Sequence, residues 1–119
     1  MTTIVAQIVA YPFVEYAVHR GLHAYSNEQH KAHHHERTPE GAIALVILGV
    51  LGITMPGIAI GFAAYLYVHR CAHNHPTQFP ALTAHHLAHH RVAGTNFGVT
   101  TVLVDRLFGT TCPAAAPVR

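Results

Sequence analysis

Apolar residues run from Thr3 to Val18 with few interruptions, chiefly Gln7, Pro12 and Glu15, and the pattern extends through His19 to Ala24. A helix over this stretch has about 22 residues and reaches roughly 33 Å, enough for one bilayer crossing. Polar sequence follows from Tyr25 to Glu40, where a short helix is expected, punctuated at its end by Pro39 and Gly41. Ala42 to Val68 then gives 27 residues without a charge, interrupted at Thr54-Met55-Pro56-Gly57. Proline and glycine favour a chain reversal there, so the pattern predicts an antiparallel hairpin. Each arm has about 12 apolar residues, roughly 18 Å, against a ~30 Å hydrocarbon core, so the hairpin either dips into the bilayer or borrows polar neighbours and thins it. His75-Pro76 ends the second arm, Pro80 interrupts a short connection, and a further helix carries His86 to His90 until Gly94-Thr95 break it. Asn96 to Gly109 closes the domain. The Pro- and Ala-rich tail has too little to bury and is expected to be disordered. The expected fold class is all-α, a small integral membrane helical bundle with one domain over residues 1–110 and a tail over 111–119.

The histidines support the hairpin independently. Ten of the thirteen fall into four groups in the order HxxxH, HxxHH, HxxxH, HxxHH: His19/His23, His30/His33/His34, His69/His73 and His86/His89/His90. On a helix, positions i, i+3 and i+4 share a face within roughly a quarter turn, so each group is expected to aim its rings at one point. Neutral imidazole is the commonest protein metal ligand and suits iron, zinc, copper or nickel. These ten histidines are too many for one ion and suit two. A straight helix over 42–68 would carry His69 and His73 to the membrane face opposite His19 and His23, and a hairpin returns them. Three histidines fall outside the pattern. His35 stands about 140° from His30 and His75 about 200° from His73, which places both around the site or in solvent. His85 is ambiguous because it pairs at i, i+4 with His89.

Composition narrows the class. Half the residues are hydrophobic and 10% are charged, against about 25% charged in an average soluble protein, which points to lipid contact. The net charge of +2 rests on residues that mostly flank the histidine groups, Arg20, Lys31, Arg37, Arg70, Arg91 and Arg106. No basic run interleaved with aromatics suggests nucleic acid, and the flanking cations read as a cytoplasmic membrane face. Cys71 and Cys112 form no CxxC or CxxCH pattern, and Cys71 is expected to point away from His69 and His73 and to pack. The opening apolar stretch lacks a basic n-region and a small-residue cleavage site, so it is expected to stay in the mature protein.

Carboxylate-bridged di-iron bundles need paired Glu-x-x-His motifs, and none of the five acidic residues has a histidine three positions later. Glu15 stands four before His19, where a hydrogen bond to a metal-bound imidazole is the favoured role, with direct ligation or a partnership with Arg20 as alternatives. Passive metal sequestration uses low-complexity His tracts, not helical spacing. Bis-histidine haem ligation, the main non-catalytic alternative, needs one histidine from each of two helices and leaves most of these groups unexplained. Met55, Phe62, Tyr65 and Tyr67 are candidates for an apolar slot, although at helical spacing such residues are more often plain packing or lipid contacts.

The four histidine groups in order, followed by Asn96-Phe97-Gly98-Val99 and by Asp105-Arg106-Leu107-Phe108-Gly109-Thr110, resemble the fatty acid hydroxylase superfamily, which includes sterol desaturases and hydroxylases. Glu15 before His19, and Glu36 after His34, also look like its carotenoid hydroxylase branch. Val104 stands where members often carry Trp, and the membrane hairpin is shorter than usual. The resemblance implies an enzyme of lipid biosynthesis with two iron ions (Fe2+/Fe3+), replaceable by zinc, held by the ten patterned histidines at the cytoplasmic face. It implies O2, a lipid substrate that is hydroxylated or desaturated, and electrons from a separate ferredoxin, cytochrome or reductase, since no nucleotide or flavin motif is present.

Overall fold

The computed structural model describes residues 2–24 and 42–112, and among them the regular structure is entirely helical. Helix α1 spans Thr2–Ala24, α2 Ala42–Thr54, α3 Pro56–Asn74, α4 Pro80–Arg91 and α5 Leu103–Phe108. The polar segment with His30, His33, His34 and His35, and the tail beyond Cys112, lie outside the described residues.

The break at Met55-Pro56 behaves as its chemistry demands. Pro56 occupies the first turn of α3, where its missing N–H costs nothing, and α2 folds back against α3. Pro80 does the same for α4, so this proline begins the helix and does not interrupt the connection before it. Small residues then let α1 and α3 approach. A Cβ on Gly57 would lie 2.4 Å from the Ile4 carbonyl oxygen, and one on Gly61 would lie 2.1 Å from the Tyr11 ring. The Gly57 amide also donates to Gln7 Oε1 at 2.8 Å. Early residues of α1 thus meet early residues of α3, which makes the two helices parallel and brings His19/His23 and His69/His73 to the same end.

Between them Tyr11, Ile58, Tyr65 and Val99 form a buried core with Phe62, Leu66, Val68 and Leu51 packed against it. A second cluster of Tyr16, Phe97 and Val104 ties α1 to the C-terminal segment. Tyr65 and Phe62 therefore pack, while Met55 and Tyr67 are exposed.

The expected membrane crossing by α1 needs correction. No described helix is long and apolar enough to cross a membrane. Helix α1 has 23 residues, but Gln7, Glu15, His19, Arg20 and His23 lie within it and dilute its hydropathy. The apolar faces of α1 and α2 nevertheless remain exposed at Val5, Val9, Val18, Val46, Val50 and Ile53.

Candidate metal centre

The last turns of α1, α3 and α4 all carry histidine. Helix C-termini present unsatisfied carbonyls equivalent to about half a negative charge, an electrostatic setting that favours cations. The rings assemble into two clusters. His69, His73, His86 and His90 place ligand nitrogens within 4.8 Å of one another, as do His19, His23 and His89.

This grouping corrects one expectation. The HxxHH group of α4 does not aim at one point: His86 and His90 face α3, while His89 faces α1. His89 lies with ring centroids 4.4 Å from His19 and 4.7 Å from His23. His86 sits 4.5 Å from His69 and 5.0 Å from His73. Since His89 and His90 differ by about 100° around the helix, one motif serves two neighbours. His86 and His89, ring centroids 5.9 Å apart, link the clusters.

Nitrogen faces nitrogen in both. His86 Nε2 is 3.0 Å from His73 Nε2 and 2.9 Å from His90 Nε2, and His23 Nε2 is 3.0 Å from His89 Nε2. Each imidazole nitrogen offers one in-plane proton or one lone pair, so His86 Nε2 cannot make two good hydrogen bonds at once. A shared cation satisfies all the lone pairs. At metal–nitrogen distances of about 2.1 Å, two imidazoles at right angles on one ion stand roughly 3.0 Å apart, so these residues fit metal ions. Burial and neighbouring imidazoles hold His86 well below the ordinary histidine pKa. Burial, partly offset by a backbone hydrogen bond, lowers His89 to about 4. Both rings are therefore neutral at pH 7, the state a ligand requires.

The segment after α4 orients the three-histidine cluster. His19 Nδ1 bonds the Phe97 carbonyl at 2.6 Å and His89 Nδ1 bonds the Thr95 carbonyl at 2.7 Å. Each carbonyl fixes the proton on Nδ1 and leaves Nε2 as the lone-pair atom. The buried Phe97 ring lies 5.7 Å from both His23 and His89 and covers this cluster with apolar surface.

Asp105 holds that segment. Fully buried, it accepts hydrogen bonds from the Phe97 and Gly98 amides at 2.9 and 2.7 Å, from Thr110 Oγ1 at 2.7 Å and from His85 Nε2 at 2.9 Å. Burial alone would push its carboxyl up, but these bonds, His85 foremost, outweigh it and hold the pKa below the usual 3.8. Gly98 is required here, because a Cβ would meet the Thr101 carbonyl oxygen at 2.2 Å. Asn96, in the left-handed region at φ 53°, donates to the His85 carbonyl and accepts from the Cys112 amide. Cys112, within the expected tail, is thus pinned to this segment.

Among the described residues Glu15 bonds neither an imidazole nor Arg20. It accepts from the amides of Val99 and Thr100 and from Thr100 Oγ1, anchoring the same segment to α1, while Arg20 donates to Tyr16 Oη. His85 faces Asp105 and neither cluster. His75 caps α3 and is exposed, and buried Cys71 donates to Gln78 Oε1. The sequence reading missed the roles of the Phe97 and Thr95 carbonyls and of Asp105; the NFG and DRLFGT motifs were the available signal.

Comparison with curated proteins and with solved structures returned no significant match. A fatty acid hydroxylase family model matches residues 4–110, from the first turns of α1 to the Thr110 hydroxyl on Asp105, and the chain therefore belongs to the fatty acid hydroxylase family.

Proposed function

We propose that this chain is a membrane-bound di-iron oxygenase of lipid biosynthesis, hydroxylating or desaturating a C–H bond with O2 and external electrons. The observation that carries this reading is the pair of adjacent histidine clusters, each with ligand nitrogens within 4.8 Å. His69, His73, His86 and His90 hold one ion; His19, His23 and His89 hold the other. His30, His33 and His34 complete the set of ten ligands, by the spacing they share with His86, His89 and His90. Iron is the native metal, and zinc replaces it where zinc is more available.

Bound iron would supply the redox chemistry, with O2 as oxidant and two electrons and two protons drawn from outside: in hydroxylation one oxygen atom enters the C–H bond and the other leaves as water, and in desaturation two hydrogens leave the substrate and both oxygen atoms end as water. The chain's own contribution is positional. The Phe97 and Thr95 carbonyls hold His19 and His89 in one tautomer, the Phe97 ring excludes water, and Asp105 and Glu15 keep the segment in place. Electrons come from a ferredoxin, cytochrome or reductase. The exposed apolar side chains of α1 and α2 support membrane attachment, with the histidine end and its flanking Arg20, Arg70 and Arg91 toward the cytoplasm.

Metal analysis of protein from iron-replete cells, paired with lipid profiles of cells with and without the gene, tests this. The expected result is close to two irons per chain and a gene-dependent hydroxylated or unsaturated lipid. Protein never exposed to chelator that carries no metal would refute it, and a Soret band would point to haem.

A further inference from the structure

His86 lies at the centre of the four-histidine cluster. Its Nε2 faces His73 and His90, which leaves Nδ1 to carry the ring proton. His19 and His89 use Nδ1 on backbone carbonyls. His86 Nδ1 is buried and meets no hydrogen-bond partner among the described residues, although only 1% of the residue is exposed.

Thr83 stands three residues earlier in α4, about 60° from His86 around the helix. It is 4% exposed, and its Oγ1 also meets no partner among the described residues. The hydroxyl does not even bond the Phe79 carbonyl, which takes the Thr83 amide at 2.8 Å. A buried polar atom left unpaired is strongly disfavoured. Here two such atoms, one a donor and the other able to accept, lie one turn apart on the same side of a helix.

Building on the metal assignment above, we propose that Thr83 is a positioning residue for His86, its hydroxyl accepting the Nδ1–H directly after a side-chain rotation or through one bridging water. The contact satisfies both atoms at once. It fixes the plane and tautomer of the ring, so that the Nε2 lone pair stays directed toward His73 and His90. Thr83 thereby does for the four-histidine cluster what the Thr95 and Phe97 carbonyls do for the other.

The test is Co2+ titration of the purified full chain, followed by electronic absorption, for wild type, Thr83→Val and Thr83→Ser. Valine keeps the shape and removes the hydroxyl; serine keeps the hydroxyl. The proposal expects two ions in wild type and a roughly 10–100-fold weaker affinity for one of them in Thr83→Val. It also expects a shifted cobalt spectrum for that ion alone, with both properties restored in Thr83→Ser. Should Thr83→Val fail to fold, Thr83→Ala must show the same selective loss. Wild-type affinity and spectrum at both ions in Thr83→Val overturn the proposal, as does a Thr83→Ser variant impaired as severely as the valine. A wild type that binds no cobalt overturns the metal assignment itself and this role with it, a result distinct from unaltered binding in the variant.

Discussion

The two histidine clusters use the same ligand chemistry on different foundations. The four-histidine cluster lies between α3 and α4, consecutive helices joined by a short connection. The three-histidine cluster joins α1 to α4 across 66 positions between His23 and His89. Its rings are set by backbone carbonyls of a segment that depends in turn on two buried carboxylates, Glu15 and Asp105. The first cluster is a local product of helix geometry. The second is a product of the whole fold, and damage far from the histidines should therefore fall on it first.

The largest expected effect is at Asp105. Asp105→Ala removes the acceptor of four hydrogen bonds and should cost at least about 3 kcal/mol. Thermal melts read that loss, and metal analysis should show the three-histidine cluster emptied more than the other. Equal loss at both would mean that the two clusters rest on the same foundation.

Single ligands come next. His90→Ala and His89→Ala should each lower bound metal from about two ions to about one, but from opposite clusters. The cobalt spectrum of the survivor should therefore differ between the two variants. His75→Ala, which alters an exposed capping residue, should leave both ions in place, and metal loss there as severe as in His90→Ala would undo the choice of ligands.

Gly61→Ala places a methyl group against the Tyr11 ring, and the overpacking should cost about 1–3 kcal/mol. By pushing α1 from α3 it should weaken the three-histidine cluster while sparing the ligands shared by α3 and α4, a difference visible in metal affinity.

The mildest effect is that of pH on the metal-free protein. Folded His86 and His89 have lowered pKa values, so between pH 6.5 and about 4 the unfolded chain binds protons that folded His89 refuses. Stability should accordingly fall on acidification through that window, by up to about 1.4 kcal/mol per pH unit for each such histidine. Asp105 acts lower: its contribution is intact above 3.8 and is lost as pH falls through its still lower folded pKa. Glu15, raised above 4.5 by burial, titrates in the same window with the opposite sign, so denaturant melts from pH 7 to 4 isolate the histidine part by comparison with His89→Ala, which should flatten the slope.

The parts legible in the sequence were those governed by local rules. Pro56 and Gly57 announced the reversal, and the HxxxH spacing of His19/His23 and His69/His73 correctly placed each pair on one face. The division of His86, His89 and His90 was illegible, because period gives an angle around one helix but not which neighbours stand on either side. Glu15 showed the same limit. Its burial was inferable from the surrounding apolar run, but its partners, Val99 and Thr100, lie 84 and 85 positions away. Helix α1 has the length of a crossing, but the polar residues within it leave it short of the apolar content a crossing needs. The role of Asp105 was hidden for a similar reason: a motif names residues without saying that their amides converge on one carboxylate.

The 66-residue span between His23 and His89 has a consequence for the lifetime of the fold. An ion held by both residues is a cross-link, and closing a loop of that size restricts the unfolded chain by about 4 kcal/mol on a chain-entropy basis, much as a disulfide would. Unlike a disulfide, this staple persists in a reducing compartment and comes off when the metal supply fails. Metal supply would then govern how long the protein survives, with starved molecules opening at the N-terminal helix and presenting it to proteases.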